Sequence, residues 1–204
     1  MRSFTAGLAL AVVCLAQSDL RVSGPYQHSN LTVYLLHSKS TSARTYLPLK
    51  EAIEQKKVVV HETQNVNELA IENVSGDVDV FVQGGDVVKG GQQDRVFTTD
   101  LILPPKSGKT AVATFCVEQG RWSKRGGEDL RTFSASTDLV AHKELKQAVK
   151  GGKDQHKVWS EVDKANRKAL AFAPGAPGTV SSSSYQLNME HKAVAQQLAG
   201  FLTS

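Results

Sequence analysis

Apolar and polar positions alternate in short bursts through the first half of the chain. Runs at 31–38 (LTVYLLHS), 57–63 (KVVVHET), 69–75 (LAIENVS), 78–85 (VDVFVQGG), 95–105 (RVFTTDLILPP) and 111–120 (AVATFCVEQG) are rich in Val, Ile, Thr and Phe. Gly, Pro, Asn and Ser separate them, the pattern of β-strands joined by tight turns. Ser75-Gly76-Asp77, between two apolar runs, predicts a hairpin turn. A helical period interrupts the strands at 47–57, where Leu49, Ala52, Ile53 and the stem of Lys56 share a face. Short strands without crossover helices between them predict an α+β fold. Its N-terminal part is expected to be a mainly antiparallel, sandwich-like or barrel-like β-structure.

The second half changes period. Segments 138–150 and 154–170 read as helices, separated by Gly151-Gly152. In the second, Val158, Val162, Ala165 and Ala169 recur at helical offsets with Trp159 beside them, which makes a stripe for docking on the sheet. The expected organisation is a β-rich core over 28–122 and packed helices over 136–170. A Pro/Gly/Ser linker over 173–185 and a terminal helix over 186–204 follow, the latter with Val194, Leu198, Phe201 and Leu202 available for packing.

The first sixteen residues stand apart from this folding pattern. Arg2 precedes a 13-residue apolar run, Phe4–Ala16, and Cys14 and Ala16 are small enough for the −3 and −1 positions of a signal-peptidase site. The run is shorter than the roughly 20 residues that span a bilayer. An export signal over 1–16 is expected, with a mature chain from Gln17 that is secreted or periplasmic and has no transmembrane segment. That chain would hold one cysteine, Cys116, so no intramolecular disulfide is available to it.

Charge is unevenly placed. Residues 17–120 carry 10 Lys and Arg against 12 Asp and Glu; residues 121–170 carry 12 against 7. A basic segment suits an anionic partner, but only Trp122, Phe133 and Trp159 lie among its basic residues, too few for the stacking that single-strand binding wants. Nucleic acid is not an expected partner.

Several chemical motifs fail on spacing. PPKSGKT (104–110) ends like a phosphate-binding loop, yet Leu103 stands where the leading glycine belongs and a β-rich run follows. The six histidines, at 28, 37, 61, 142, 156 and 191, show no metal-ligand spacing, and neither a metal nor another cofactor is expected. Asn30-Leu-Thr and Asn73-Val-Ser match glycosylation sequons, which matter only in a eukaryotic secretory route.

One stretch concentrates candidate chemistry. In GGDVVKGGQQDRV (84–96), the glycine pairs suit positive φ or close backbone approach. The residues Gly90, Gly91, Gln92, Gln93, Asp94 and Arg95 form a polar cluster that, with Arg121 and Trp122, is the candidate ligand site. Cys116 is the candidate thiol nucleophile, or a small core residue on a strand. Asp94 and Glu118 are the candidate acid–base groups, with Arg95 and Arg121 holding an anionic substrate.

GGDVVKGGQQDRV, LILPPKSG (101–108), FCVEQGRW (115–122) and QHKVWSEV (155–162) occur in that order. Together with LTVYLL and YLPLKEAIEQKKVVVHE before them, they resemble the bacterial family described as the ARG and Rhodanese-Phosphatase-superfamily-associated protein domain. The resemblance runs over most of 30–170 and implies no assigned biochemical role. Its name implies rhodanese-like or phosphatase-like proteins as partners. Two readings therefore stand: an exported binding or interaction module centred on the GGQQDR loop, or a hydrolase or transferase acting on an anionic small molecule.

Overall fold

The computed structural model of the 204-residue chain describes residues 20–39, 44–151, 154–172 and 183–202. The expected export signal over 1–16 and positions 173–182 of the expected linker lie outside the described residues. The chain divides into two compact units, 1–43 and 44–204.

In the first unit, β1 (Arg21–His28) and β2 (Leu31–His37) pair antiparallel as a hairpin. The strand β1 lies upstream of the expected start of the β-rich core at 28. Its Ser-Gly-Pro centre breaks the apolar alternation that reveals a strand in sequence, and the register shifts there.

The second unit contains β3 (Tyr46–Pro48), α1 (Leu49–Glu54), β4 (Val58–Glu62), β5 (Glu68–Asn73), β6 (Asp79–Val82), β7 (Asp86–Gly90), β8 (Arg95–Phe97), β9 (Leu101–Leu103), β10 (Thr110–Cys116) and β11 (Phe133–Val140). Helices α2 (Lys143–Gly151), α3 (Gln155–Phe172), α4 (Tyr185–Glu190) and α5 (Lys192–Leu202) complete it. Six strands form one antiparallel sheet in the order β11-β7-β8-β10-β5-β4. Its two edges meet: His61 bridges to Thr132, and the Glu62 N–H donates to the Arg131 carbonyl at 2.8 Å. The sheet is therefore a nearly closed barrel, and the fold is α+β and mainly antiparallel. A second sheet, β3-β6-β9, is small, and its β3–β6 pair is parallel.

Two apolar clusters lie on the two faces of the barrel wall. Val58, Val60, Leu69, Ile71, Val88, Phe97 and Val112 fill the interior, closed over by Leu49 and Ala52 of α1 and by Val80, Val82 and Leu103 of the small sheet. On the outer face, Val87, Val96, Phe115 and Val117 meet Leu145 and Val149 of α2 and Val158, Val162 and Ala165 of α3. The predicted α3 stripe is thus a docking face, with Ala169 only half-buried at its end. Val194 of α5 is buried; the side chains of Leu198, Phe201 and Leu202 lie outside the described ones.

Several expected boundaries move. The run 95–105 is two strands in different sheets, broken at Thr98–Asp100, where the Asp100 carboxylate accepts from the Gly84 N–H and from Lys150. The chain does turn at Ser75–Asp77, but β5 and β6 enter different sheets, so no hairpin forms. The buried Asn73 side chain organises that turn, donating to the Val78 and Leu103 carbonyls and accepting from Ser75. A fully buried amide with these bonds leaves no acceptor for a glycan at the second sequon.

Residues 133–140 form β11, where the helical segment was expected to begin at 136; its Ser, Ala and Thr give a weak apolar alternation, and pairing with β7 supplies the strand. At the C-terminal end, α4 starts at Tyr185 and is capped by Ser184, inside the expected linker.

Candidate functional site

The glycine-rich stretch divides between a sheet-switching turn and a buried loop. Gly84 and Gly85 turn the chain from β6 in the small sheet to β7 in the barrel. Gly90 and Gly91 adopt φ of +125° and +52°, backbone that side chains other than glycine resist. A β-carbon on Gly91 would overlap the Phe133 ring and sit 2.8 Å from a Glu62 carboxylate oxygen. The loop is pressed against the barrel end.

Asp94 and Glu118, both fully buried, anchor an ion-pair network. The Arg125 guanidinium donates to Asp94 Oδ1 and Oδ2 at 2.9 and 3.0 Å, to Glu118 Oε1 at 3.3 Å, and through Nε and Nη2 to Glu128 Oε1 at 3.1 and 2.8 Å. Arg121 Nε donates to Glu118 Oε2 at 2.7 Å, while its other nitrogens donate to the Gly90, Gly91 and Ser123 carbonyls. Asp94 also accepts from the Gly90 N–H and from Ser184 Oγ, and its own N–H donates to Glu118. Burial by itself lowers the Arg125 pKa, but the bonds to Asp94 and Glu128 outweigh it and raise the value above that of a free arginine. Three carboxylates and two guanidiniums thus lock loop 90–94 to segment 118–128 and to the start of α4.

Arg95, one residue on, enters a different environment. It shares a face with Val88, Phe97 and Cys116 and points into the barrel. There its Nη2 lies 3.8 Å from Glu62 Oε2, and its Nη1 donates to the Gln93 carbonyl at 2.9 Å. Glu62 further accepts from the backbone N–H groups of Thr63, Gln64 and Gln92. Cys116 is buried nearby; burial pushes its thiol pKa up, with the Arg95 charge opposing. Its backbone N–H and C=O are both held by the Gln155 side-chain amide at 2.9 Å, which stands in for a neighbouring strand.

The sequence candidates therefore do not converge. Asp94, Glu118 and Arg121 lie in the ion-pair network, whereas Arg95 and Cys116 lie inside the barrel. Gln93 is buried, Gln92 is half-buried, and the Trp122 side chain is exposed. An open groove of about 440 Å³ lies beside the loop, lined by Lys89, Glu128, Asp129, Thr132, Phe133 and Ser134. Strand register explains its position, since Phe133 pairs with Gly90 and Ser134 with Lys89. Among the described residues no three His, Cys, Asp or Glu side chains gather as a metal site requires.

Residues 19–203 match one described family. The chain belongs to the ARG and Rhodanese-Phosphatase-superfamily-associated Protein domain family. The family's description names an association with the rhodanese-phosphatase superfamily, and it assigns no ligand or reaction. No curated protein and no solved structure matches the chain. The stretches that carry the resemblance acquire physical roles here. FCVEQGRW contributes Cys116, Glu118 and Arg121 to the two buried clusters, and QHKVWSEV begins with the Gln155 that clamps Cys116.

Arg125, Glu128, Ser184 and Glu62 were not among the sequence candidates. Arg125 and Glu128 sit in SKRGGED, which has the composition of a solvated turn, and Ser184 lies in a serine run. Nothing local marks them, because the contacts that tie Arg125 and Ser184 to Asp94, and Glu62 to Arg95, span more than thirty positions of chain, and Glu128 joins the network through Arg125. No described helix is long and apolar enough to cross a membrane.

Proposed function

We propose that the chain is a binding or interaction module whose ligand groove lies beside the GGQQDR loop, between Lys89 and Ser134. One contrast carries this reading. Both candidate acid–base groups, Asp94 and Glu118, are already occupied, while the adjoining groove is open and presents the Thr132 and Ser134 hydroxyls and the exposed Asp129 carboxylate, beside a Lys89 ammonium that pairs with Glu190. A densely hydrogen-bonded network behind an open polar groove is what a binding site needs to hold its shape.

The alternative, a hydrolase or transferase using Asp94, Arg95, Glu118 and Cys116, has less behind it. It needs those groups in one pocket with a free lone pair on the base. Rhodanese-like or phosphatase-like proteins are the partner class the family description suggests. Export rests on the apolar run at 4–16: N-terminal sequencing of cell-envelope material should begin at Gln17, and an intact cytoplasmic chain would remove that part of the proposal.

The groove is tested by thermal-shift screening of the protein against phosphoesters, sulfur oxyanions, nucleotides, sugars and metals, beside a Ser134→Trp variant that fills the groove without touching the network. A compound that raises the melting temperature of the parent alone supports the reading. Equal shifts in both proteins, or none in either, would remove it.

A further inference from the structure

The hairpin of the first unit has an unusual surface. In seven residues β2 exposes Leu31, Val33, Tyr34, Leu35 and Leu36, the last 69% exposed. They alternate between the two faces of the ribbon, and Val22 and Tyr26 of β1 add to them. Scattered apolar residues on a surface are ordinary, but this density in one ribbon is not. A lone two-stranded hairpin is at best marginally stable in water; more strands stabilise it.

The two outer edges differ. On β1, Pro25 has no N–H to offer, Gly24 sits at φ +112°, and the register breaks between Ser23 and Tyr26. These are devices that blunt an edge. By contrast β2, LTVYLLH, has no Pro, Gly, Lys, Arg, Asp or Glu, so its outward N–H and C=O groups form an unguarded template.

Its sequence also complements itself. Laid antiparallel on a second copy about Tyr34, Val33 meets the partner's Leu35, Thr32 meets the partner's Leu36, and Tyr34 meets the partner's Tyr34. Each pair lies on one face of the ribbon. Apolar and aromatic cross-strand pairs of this kind are the unit of sheet stabilisation, and no like charges oppose one another. A two-fold axis makes such a contact isologous and self-limiting.

We propose that two copies of this chain associate through β2, edge to edge and antiparallel, to form a four-stranded sheet with its two-fold axis at Tyr34. The contact covers the unguarded edge and gives each β2 side chain a cross-strand neighbour. It leaves the groove of the second unit out of account, so the two proposals stand or fall separately.

Sedimentation equilibrium of the full chain tests it, with hydrogen exchange in β5 and β10 to show that every variant is folded. The parent is expected at twice its 22.0 kDa chain mass. The Tyr34→Lys variant, with two ammonium groups at the axis, should associate at least tenfold more weakly, whereas Gln27→Lys on β1 should stay within twofold of the parent. Independently, a Tyr34→Cys variant should cross-link at position 34 between copies on air oxidation, with the link located by mass mapping. A parent that stays monomeric at all concentrations would overturn the proposal, as would a dimer indifferent to Tyr34→Lys. Equal weakening by the two lysine variants would place the contact elsewhere and overturn it too.

Discussion

Arg125 bonds three carboxylates with one guanidinium, and two of those carboxylates, Asp94 and Glu118, are fully buried. Removing the cation leaves their charges short of compensation in a region that water does not reach. The Arg125→Gln variant should lose about 3 kcal/mol of unfolding free energy, the order seen when one partner of a buried pair is deleted. Denaturant titration reads the loss. Arg125→Lys should recover only part of it, because a point charge does not reproduce the planar fork.

Cys116 makes the opposite case at the same scale. Burial holds it as a thiol at neutral pH, and thiolate is the reactive form. Iodoacetamide should therefore modify it slowly in the native protein and readily in denaturant, as peptide mapping would show. Fast native labelling would revive the nucleophile reading.

At the scale of elements, the loop and α4 are held by few contacts with large consequences. Gly91 has a left-handed φ and no room for a β-carbon beside Phe133 and Glu62. Gly91→Ala should cost about 2 kcal/mol, measurable by thermal or chemical unfolding, since strain and overlap act together. Ser184 both caps α4 and donates to Asp94, at 3.1 and 2.9 Å. Its replacement by Ala should lower stability by about 1–2 kcal/mol. Amide exchange in α4 should rise more than in β5 or β10 if the helix is tied to the barrel mainly through this hydroxyl. At the other end of α4, Glu190 pairs with Lys89 of β7 at 2.8 Å and would keep part of the attachment.

The whole second unit responds to pH through groups such as His142, which stacks against Tyr185 between α2 and α4. Burial lowers its pKa below the ordinary 6.5; Glu144 and Glu161 oppose that shift and Lys168 adds to it. As pH falls, the unfolded chain takes up the proton first. This contribution to stability is therefore complete above about pH 6.5 and is lost as pH drops through the folded value. Urea midpoints for parent and His142→Gln should run parallel above that point, and the parent's should fall more steeply below it. Identical slopes in acid would show that the ring is as accessible in the folded state as in the unfolded one.

What was legible in the sequence lies at short range. Strand alternation in 57–63, 69–75 and 112–117, the α3 stripe and the shared face of Leu49, Ala52 and Ile53 follow from local periodicity, and the structure keeps them. The helix expected over 47–57 nevertheless shortens to Leu49–Glu54, and Lys56 lies outside it, exposed, at φ +57°. The four motifs that carry the family resemblance were also visible, and the match over residues 19–203 shows the membership. The weak strands β1 and β11 were not legible, because a glycine-proline kink and a run of small polar residues carry little apolar signal.

Only the tertiary structure decided that 95–105 serves two sheets and that the barrel edges meet at His61 and Thr132. It alone separated Asp94 from Arg95, neighbours in the chain whose side chains end in different clusters. The physical reason is the range of the forces involved. Periodicity is written into neighbouring residues by the geometry of one strand or helix. A buried charge is satisfied by whichever opposite charge the fold brings within about 3 Å, and for Asp94 that partner, Arg125, is 31 residues away in sequence.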